Sequence, residues 1–181
     1  MTNIMNIISF IIRKATVAES NIIADLGART FVTGFGTCNS PEDMKQYLLT
    51  NFSRETIQSQ LSNKSSIFLL GYQNDVAVGY AMLEVGIEPH SVIGPKPIEL
   101  VRIYVEEEVV GQGLGSALMK TCLEEAKTNG LGTIWLAVWQ KNQRAIDFYK
   151  RWGFEKVGVK EFVVGSDVQD DFIMERSVEL N

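Results

Sequence analysis

A mixed α/β (α+β) sandwich is the fold class that this 181-residue sequence predicts. Three observations point there. Short apolar runs rich in Val, Ile, Tyr and Phe recur along the chain, and segments of helical period separate them. The order that results is one strand, two or three helices, three strands, a helix, a strand, a helix and further strands, which calls for helices covering a mixed sheet. The length suits one domain, spanning 1–181, with one sizeable core, and neither a repeat nor a low-complexity linker divides it.

Each element follows from local signals. The apolar run Ile7-Ile8-Ser9-Phe10-Ile11-Ile12 predicts a first strand over 7–13. Thr16-Val17-Ala18-Glu19 has the capping-box pattern, and Ile22, Ile23 and Leu26 supply the apolar face of the helix behind it. Ser40-Pro41-Glu42-Asp43 starts a second helix with Pro41 at its first position. A third helix begins after Ser53 and ends near Ser62. Strands over 66–72 and 76–85 are joined by the turn-forming Gln73-Asn74-Asp75. A Gly- and Pro-rich loop, 86–97, leads to a strongly β-prone run over 98–105. A long helix then covers about 113–129 with Gly130 as its C-cap. A strand over 133–139, a helix over 142–152 closed by Gly153, and strands around 160–164 and 172–176 complete the chain.

Composition removes several functions. With 17 Lys and Arg against 22 Asp and Glu, the net charge is -5, which disfavours a nucleic-acid surface and suits a cationic ligand. Cys38 and Cys122 form no CxxC pair, so neither a disulfide framework nor a zinc site is expected. A single histidine, His90, beside Pro89 in a loop, makes a histidine-based metal centre or a Ser-His-Asp triad improbable. The N-terminal apolar run has no basic residue before it and no small-residue cleavage site after it, and it is far shorter than the ~20 residues of a membrane span. A cytoplasmic protein with no membrane partner and no metal is the expectation.

The most informative stretch is VEEEVVGQGLGSALM, from Val105 to Met119. Gly111, Gly113 and Gly115 stand between a strand and a helix, where glycine lets the backbone approach a ligand closely. The first amides of a helix lack internal partners and carry the positive end of its dipole, so the segment Val110, Gly111, Gln112, Gly113, Leu114, Gly115 and Ser116 is suited to a pyrophosphate. It is no P-loop, which needs GxxxxGK[ST], and no dinucleotide fingerprint, because Ser116 stands where the third glycine belongs. A second segment, WQKNQRAIDFYKRWGF, runs from Trp139 to Phe154. In it Ala145, Phe148, Tyr149 and Trp152 fall on one helical face, and Asn142 stands at the N-cap.

Together these segments resemble the GNAT N-acetyltransferases. Gly113 and Gly115 match the small positions of the [Q/R]xxGxG/A pyrophosphate motif, although Val110 replaces its usual Gln or Arg. Asn142, Ala145, Phe148-Tyr149 and Gly153-Phe154 match the downstream pattern. The resemblance implies a central twisted sheet of about seven strands, mixed but mostly antiparallel, between two helical layers. It implies acetyl-CoA as cosubstrate, with pantetheine along the backbone of Ile103, Tyr104 and Val105 like an added strand, Asn142 on its other side and the Tyr149 hydroxyl near the sulfur. Direct attack of an amine on the thioester passes through an oxyanion, for which the Val105 N–H is the candidate donor. Deprotonating an amine of pKa ~10.4 at neutral pH costs roughly 4.6 kcal/mol, so a base is needed. Glu99 is the candidate and Glu84 the runner-up, whereas Glu106-Glu107-Glu108 reads as a solvated loop. A Tyr149 phenol of pKa ~10 giving its proton to a thiolate of ~8.5 goes uphill by about 2 kcal/mol, so it protonates the leaving group only if the site lowers its pKa.

The likeness extends to PaiA-type spermidine/spermine acetyltransferases over roughly residues 11–176. It is carried by Thr30-Phe31, Asn39-Ser40-Pro41-Glu42-Asp43-Met44, Tyr47-Leu48, Glu99-Leu100-Val101-Arg102-Ile103-Tyr104, Trp135-Leu136-Ala137-Val138-Trp139 and Gly165…Gln169-Asp170-Asp171…Met174. A polyamine acceptor is the implied substrate. Protein lysine or N-terminal amines and other small amines remain open, as does a non-catalytic acetyl-CoA sensor. Homodimers are common among similar enzymes, but no exposed apolar stripe in the sequence points to one.

Overall fold

The computed structural model describes residues 9–36, 39–164 and 167–179. Ile7 and Ile8 of the expected first strand, Cys38 and Gly165 lie outside the described residues. In chain order the elements are β1 (Ile11–Lys14), α1 (Ser20–Phe35), α2 (Pro41–Asn51), α3 (Arg54–Ser62), β2 (Ser66–Gln73), β3 (Val76–Glu84), β4 (Pro97–Val105), α4 (Leu114–Thr128), β5 (Thr133–Trp139), α5 (Gln143–Arg151), β6 (Glu155–Val164) and β7 (Asp167–Ser177).

The helix starts obey their caps. The Ser40 hydroxyl accepts from the Asp43 amide at 3.1 Å and the Ser53 hydroxyl from the Thr56 amide at 3.1 Å. Thr16 and Glu19 flank a 3₁₀ turn, Val17–Glu19, that runs directly into α1. Glu19 there accepts from the Thr16 amide, the Tyr72 hydroxyl and the Arg13 guanidinium, which holds its carboxyl down at about 2. A two-residue turn, Asn74-Asp75, joins β2 to β3, with φ of 49° and 64° in the left-handed region that Asn and Asp tolerate.

Seven strands form one sheet in the order β1-β2-β3-β4-β5-β7-β6, antiparallel at every junction except β4–β5. The last two strands are longer than the sequence predicts. β6 starts directly after Phe154 and β7 takes in the polar stretch from Asp167 to Asp171, because their mutual ladder satisfies backbone groups that side-chain composition does not advertise.

Alternation divides the apolar residues between two cores, giving a helix–sheet–helix sandwich. Leu69, Leu83, Leu100, Leu118, Leu136, Ile146 and Phe154 pack on the side of α4 and α5. Phe68, Leu70, Tyr80 and Met82 pack with Ile23, Phe31 and Ile57 under α1–α3. Leu114, 1% exposed, anchors the start of α4: a Cβ on Gly71 or Gly79 would meet its methyls at 2.7 or 2.9 Å. Among the described residues no helix is long and apolar enough to cross a membrane.

Candidate active site

The centre of the sheet opens. β4 pairs with β5 only through Pro97–Thr133, Ile98–Ile134 and Glu99–Trp135, yet β4 continues to Val105 and β5 to Trp139. Beyond Glu99 the two strands part, and the β5 side of β4 is left without a ladder.

Register decides which backbone groups face that opening. The Glu106 amide donates to the Val78 carbonyl at 2.9 Å, and Tyr104 stands opposite Tyr80 two residues further along. In an antiparallel pair such residues direct both N–H and C=O to the partner strand, so the intervening Ile103 and Val105 direct theirs to the cleft. Tyr104 therefore departs from the expectation: its backbone faces β3, and its ring lies among Phe31, Phe52 and Tyr80 on the α1–α3 side. A β-bulge between Leu100 and Arg102 sets this phase. It lets Leu100 and Ile103 pack toward α4 while Val101 and Tyr104 pack toward α1–α3.

At the far end of β4 the chain makes a short turn and enters α4. Gly111 and Gly113 have φ of 83° and 99°, left-handed conformations in which other residues are strained. The Ala117 amide closes the first helical bond, onto the Gly113 carbonyl, so the amides of Leu114, Gly115 and Ser116 have no acceptor within the helix. With Gly113 they form a set of donors at the positive end of the dipole. A Cβ on Gly115 would meet only Phe148 and Val105, at 3.8–4.0 Å, so the protein itself does not require glycine there. Val110 is half-buried and offers no polar side chain. Gln112 turns back to donate to the Glu108 carbonyl at 2.7 Å, and Leu114 contributes its amide while its side chain is in the core.

The opposite wall of the cleft is α5. The Asn142 Oδ1 accepts from the Ala145 amide at 3.1 Å as the N-cap, which leaves Nδ2 free of any protein partner among the described residues. Tyr149 is 9% exposed between Phe148 and Phe154, with ring centres 5.5 and 5.8 Å away. Burial pushes its phenol up, away from the pKa of a thiol.

The two candidate bases differ. Glu99 ends the β4–β5 ladder, and its carboxylate lies 3.9 Å from the Lys160 ammonium; burial raises its pKa and Lys160 pulls it back. Glu84, its neighbour across β3, accepts from Asn63 at 3.1 Å and Ser66 at 3.0 Å and is committed to those bonds. Of the three successive glutamates, Glu107 and Glu108 are exposed and Glu106 pairs with Arg29 at 2.6 Å.

On the α1–α2 side of the opening stand residues to which the sequence assigns no site role: Tyr47, Trp139 and Asp171 carry only the PaiA likeness, and Phe35 and Phe162 carry no motif. Tyr47 meets Phe162 at 5.9 Å, Phe35 meets Trp139 at 6.3 Å, and the buried carboxyl of Asp171 is raised to about 6 by desolvation. One signal was available: in the stretch from Val168 to Met174, Asp171 shares a face with Ile173, an inward position for a charge. A groove of about 380 Å³ between α2 and β6 opens over Tyr47 and Phe162. A larger one, about 850 Å³, runs along α1 and the β2–β3 turn, but it contains none of the expected site residues, and its charged walls include the paired Arg29 and Glu106. Among the described residues no group of three or more His, Cys, Asp and Glu comes together to hold a metal ion.

Comparison with known proteins agrees with this geometry. The model of the Acetyltransferase (GNAT) family matches residues 31–154. An uncharacterized N-acetyltransferase of Mycobacterium tuberculosis is 30% identical over 162 residues, covering 90% of this chain and 99% of that protein. The [Ribosomal protein bS18]-alanine N-acetyltransferase of Escherichia coli is 32% identical over 76 residues, 41% of this chain and 51% of that one. Among solved structures, the PaiA N-acetyltransferase of Thermoplasma acidophilum in complex with coenzyme A superposes with a TM-score of 0.76 at 22% identity, covering 93% of this chain and 99% of that one.

Proposed function

The chain belongs to the acetyltransferase (GNAT) family and is an acyltransferase, and from that premise we propose that it moves the acetyl group of acetyl-CoA onto a primary amine, a polyamine such as spermidine or spermine. One observation carries the reading. β4 and β5 part after Glu99–Trp135, so the open edge of β4 leads from a carboxylate at one end to unpartnered helix amides at the other.

Acetyl-CoA supplies the activated acyl group as a thioester. Ile103 and Val105 hold the pantetheine by strand-like hydrogen bonds, and the free Nδ2 of Asn142 faces it from the other wall. The amides of Gly113, Leu114, Gly115 and Ser116 bind the pyrophosphate, and the open space beside Gly113, where a Cβ would meet nothing, permits a close approach. That such an architecture holds coenzyme A in the Thermoplasma protein supports this placement. Because backbone donors do the binding, Val110 in place of Gln or Arg removes one side-chain contact and leaves the rest.

Glu99 takes the proton from the acceptor ammonium, and the raised pKa that burial gives it makes it a better base than an exposed glutamate. The nitrogen attacks the thioester carbonyl, the Val105 N–H donates to the oxyanion, and the C–S bond breaks as the nitrogen gives up its surplus proton to water, leaving the amide and the coenzyme thiolate. Tyr149 then donates a hydrogen bond to the departing thiolate. With its phenol pushed upward, proton transfer from it is more uphill than in water, so hydrogen bonding rather than protonation is its part. A protein N-terminal amine is a second reading, supported by the alanine N-acetyltransferase among the relatives.

Thiol release from acetyl-CoA, measured against spermidine, spermine, lysine peptides, an alanine-terminated peptide and aminoglycosides, tests the proposal. Turnover with spermidine or spermine alone supports the polyamine. Turnover only with peptides replaces it by the second reading. Coenzyme binding without turnover on any amine would make the chain a sensor and sink the catalytic assignment.

A further inference from the structure

Asp171 is out of keeping with its surroundings. It stands in β7 between Trp139 of β5 and Lys160 of β6, only 6% exposed, and its Oδ1 is buried without a hydrogen-bond partner. An unsatisfied buried carboxylate oxygen is costly and rare in a folded protein. Nearby, the Lys160 ammonium lies 3.9 Å from Glu99 and 5.4 Å from the centre of the Trp135 ring. It attracts both carboxylates, Glu99 and Asp171, yet makes a short contact with neither. An alkylammonium on an aromatic face between two acids is thus already part of this pocket, loosely held and about one third exposed.

We infer that Lys160 holds the place of the acceptor's ammonium in the free enzyme, and that the arriving amine displaces it and is received by the unpartnered Oδ1 of Asp171 together with Glu99. The inference rests on the amine acceptor proposed above but not on which amine it is. It accounts for three features at once: the orphaned oxygen, the long ion pair and the lysine on the acceptor side of an amine-binding enzyme. It also gives Lys160 a function in selection. Only a ligand carrying a positive charge can replace the lysine without leaving both carboxylates without a cation.

The groups facing Asp171 are Lys160 from β6, Asp170 on its own strand and Tyr47 from α2, with Glu99 beyond Lys160. Burial places the Asp171 carboxyl at about 6, so it gains a proton, and loses its hold on a cation, as pH falls through that value.

Calorimetric titration of n-propylamine and of spermidine into the protein loaded with coenzyme A tests this at pH 8. Asp171→Asn, close to isosteric, is expected to weaken both amines at least ~10-fold and to leave coenzyme affinity unchanged, as truncating one partner of a buried charged hydrogen bond does. Lys160→Met is expected to tighten both amines several-fold, an effect that a misfolded variant cannot imitate. Between pH 8 and pH 5 the wild type should lose amine affinity more steeply than Asp171→Asn. Unchanged affinity in Asp171→Asn, or weaker binding in Lys160→Met, overturns the inference while the amine-acceptor reading stands. Failure of the wild type to bind any amine overturns both.

Discussion

Along the glycine-loop half of the cleft, the unpartnered polar groups at the opening belong to the backbone. They are the open edge at Ile103 and Val105 and the first amides of α4, held by a β-bulge, two left-handed glycines and the buried side chain of Leu114. Across the sheet, the α1–α2 half presents side chains: Glu99, Lys160, Asp171, Tyr47, Trp139 and Phe162, from five elements. The Asn39–Gln169 contact at 3.4 Å, which ties that half together, bridges 130 positions of sequence. Backbone donors serve any side-chain composition that keeps the turn, so they suit a ligand shared by a whole family. Side chains brought together from distant elements can change one at a time, which suits an acceptor that differs from one member to the next.

The same contrast governs what the sequence discloses. Gly111, Gly113 and the Asn142 cap announce themselves because left-handed turns and helix starts restrict residue type locally. The opening between β4 and β5 has no signature in the sequence, since nothing in β-prone runs says where two paired strands part. The resemblance offers the backbone of Tyr104 to the coenzyme with that of its neighbours, and a bulge, which shifts phase without a residue signature, turns it toward β3 instead. Asp171, quoted only for the PaiA likeness, and Lys160 carry no site role in the sequence because their strands extend through polar stretches that pairing, not composition, makes β. Glu84 and Glu99 looked alike in sequence, and only the bonds from Asn63 and Ser66 set them apart.

Substitution of Glu99 should give the largest effect and would break the comparison if it did not. Glu99→Gln removes the base and leaves the backbone half intact, so kcat/KM for the amine should fall roughly 10²–10⁴-fold while the affinity for coenzyme A holds. With Glu99 as the base and burial raising its pKa, the acid limb of activity should lie above the usual carboxylate range. In Glu99→Gln that acid limb should flatten. A variant retaining near-full activity would move the base elsewhere on the acceptor side.

Tyr149→Phe comes next. A hydrogen bond to a charged group contributes about 1.5–3 kcal/mol, so kcat should drop by roughly 10–100-fold with little change in KM for acetyl-CoA. Stopped-flow thiol release at saturating amine separates the two. Equal losses in kcat and coenzyme affinity would mean that Tyr149 is a wall of the pocket and no more.

A stability measurement sharpens the contrast further. Asp171 has its carboxyl raised to about 6 in the fold against an ordinary value near 4, so the native state favours the proton. Its ionisation therefore destabilises the fold fully above pH 6 and not at all well below pH 4. Asp171→Asn should raise Tm at pH 8, by roughly 1–2 kcal/mol of stability after allowance for solvent screening, and the gain should vanish by pH 3. Such a gain, in a variant that has lost amine binding, would mark the acceptor half as stability given up for function. Nothing comparable is expected from the backbone half.

The smallest effect addresses Asn142, the helix cap that is also proposed to meet the coenzyme. Asn142 caps α5 with Oδ1, and its Nδ2 has no protein partner among the described residues. Asn142→Ala removes both and should cost ~1 kcal/mol of stability in addition to coenzyme affinity. Asn142→Asp keeps an acceptor for the Ala145 amide and places a negative charge at the positive end of the helix, so Tm should stay level or rise slightly. It cannot donate, however, so any contact from Nδ2 to pantetheine is lost. KM for acetyl-CoA rising in Asn142→Asp at unchanged Tm would assign Nδ2 to the coenzyme. KM unchanged in Asn142→Asp would reduce Asn142 to a helix cap, leaving coenzyme recognition in that half to the main chain alone.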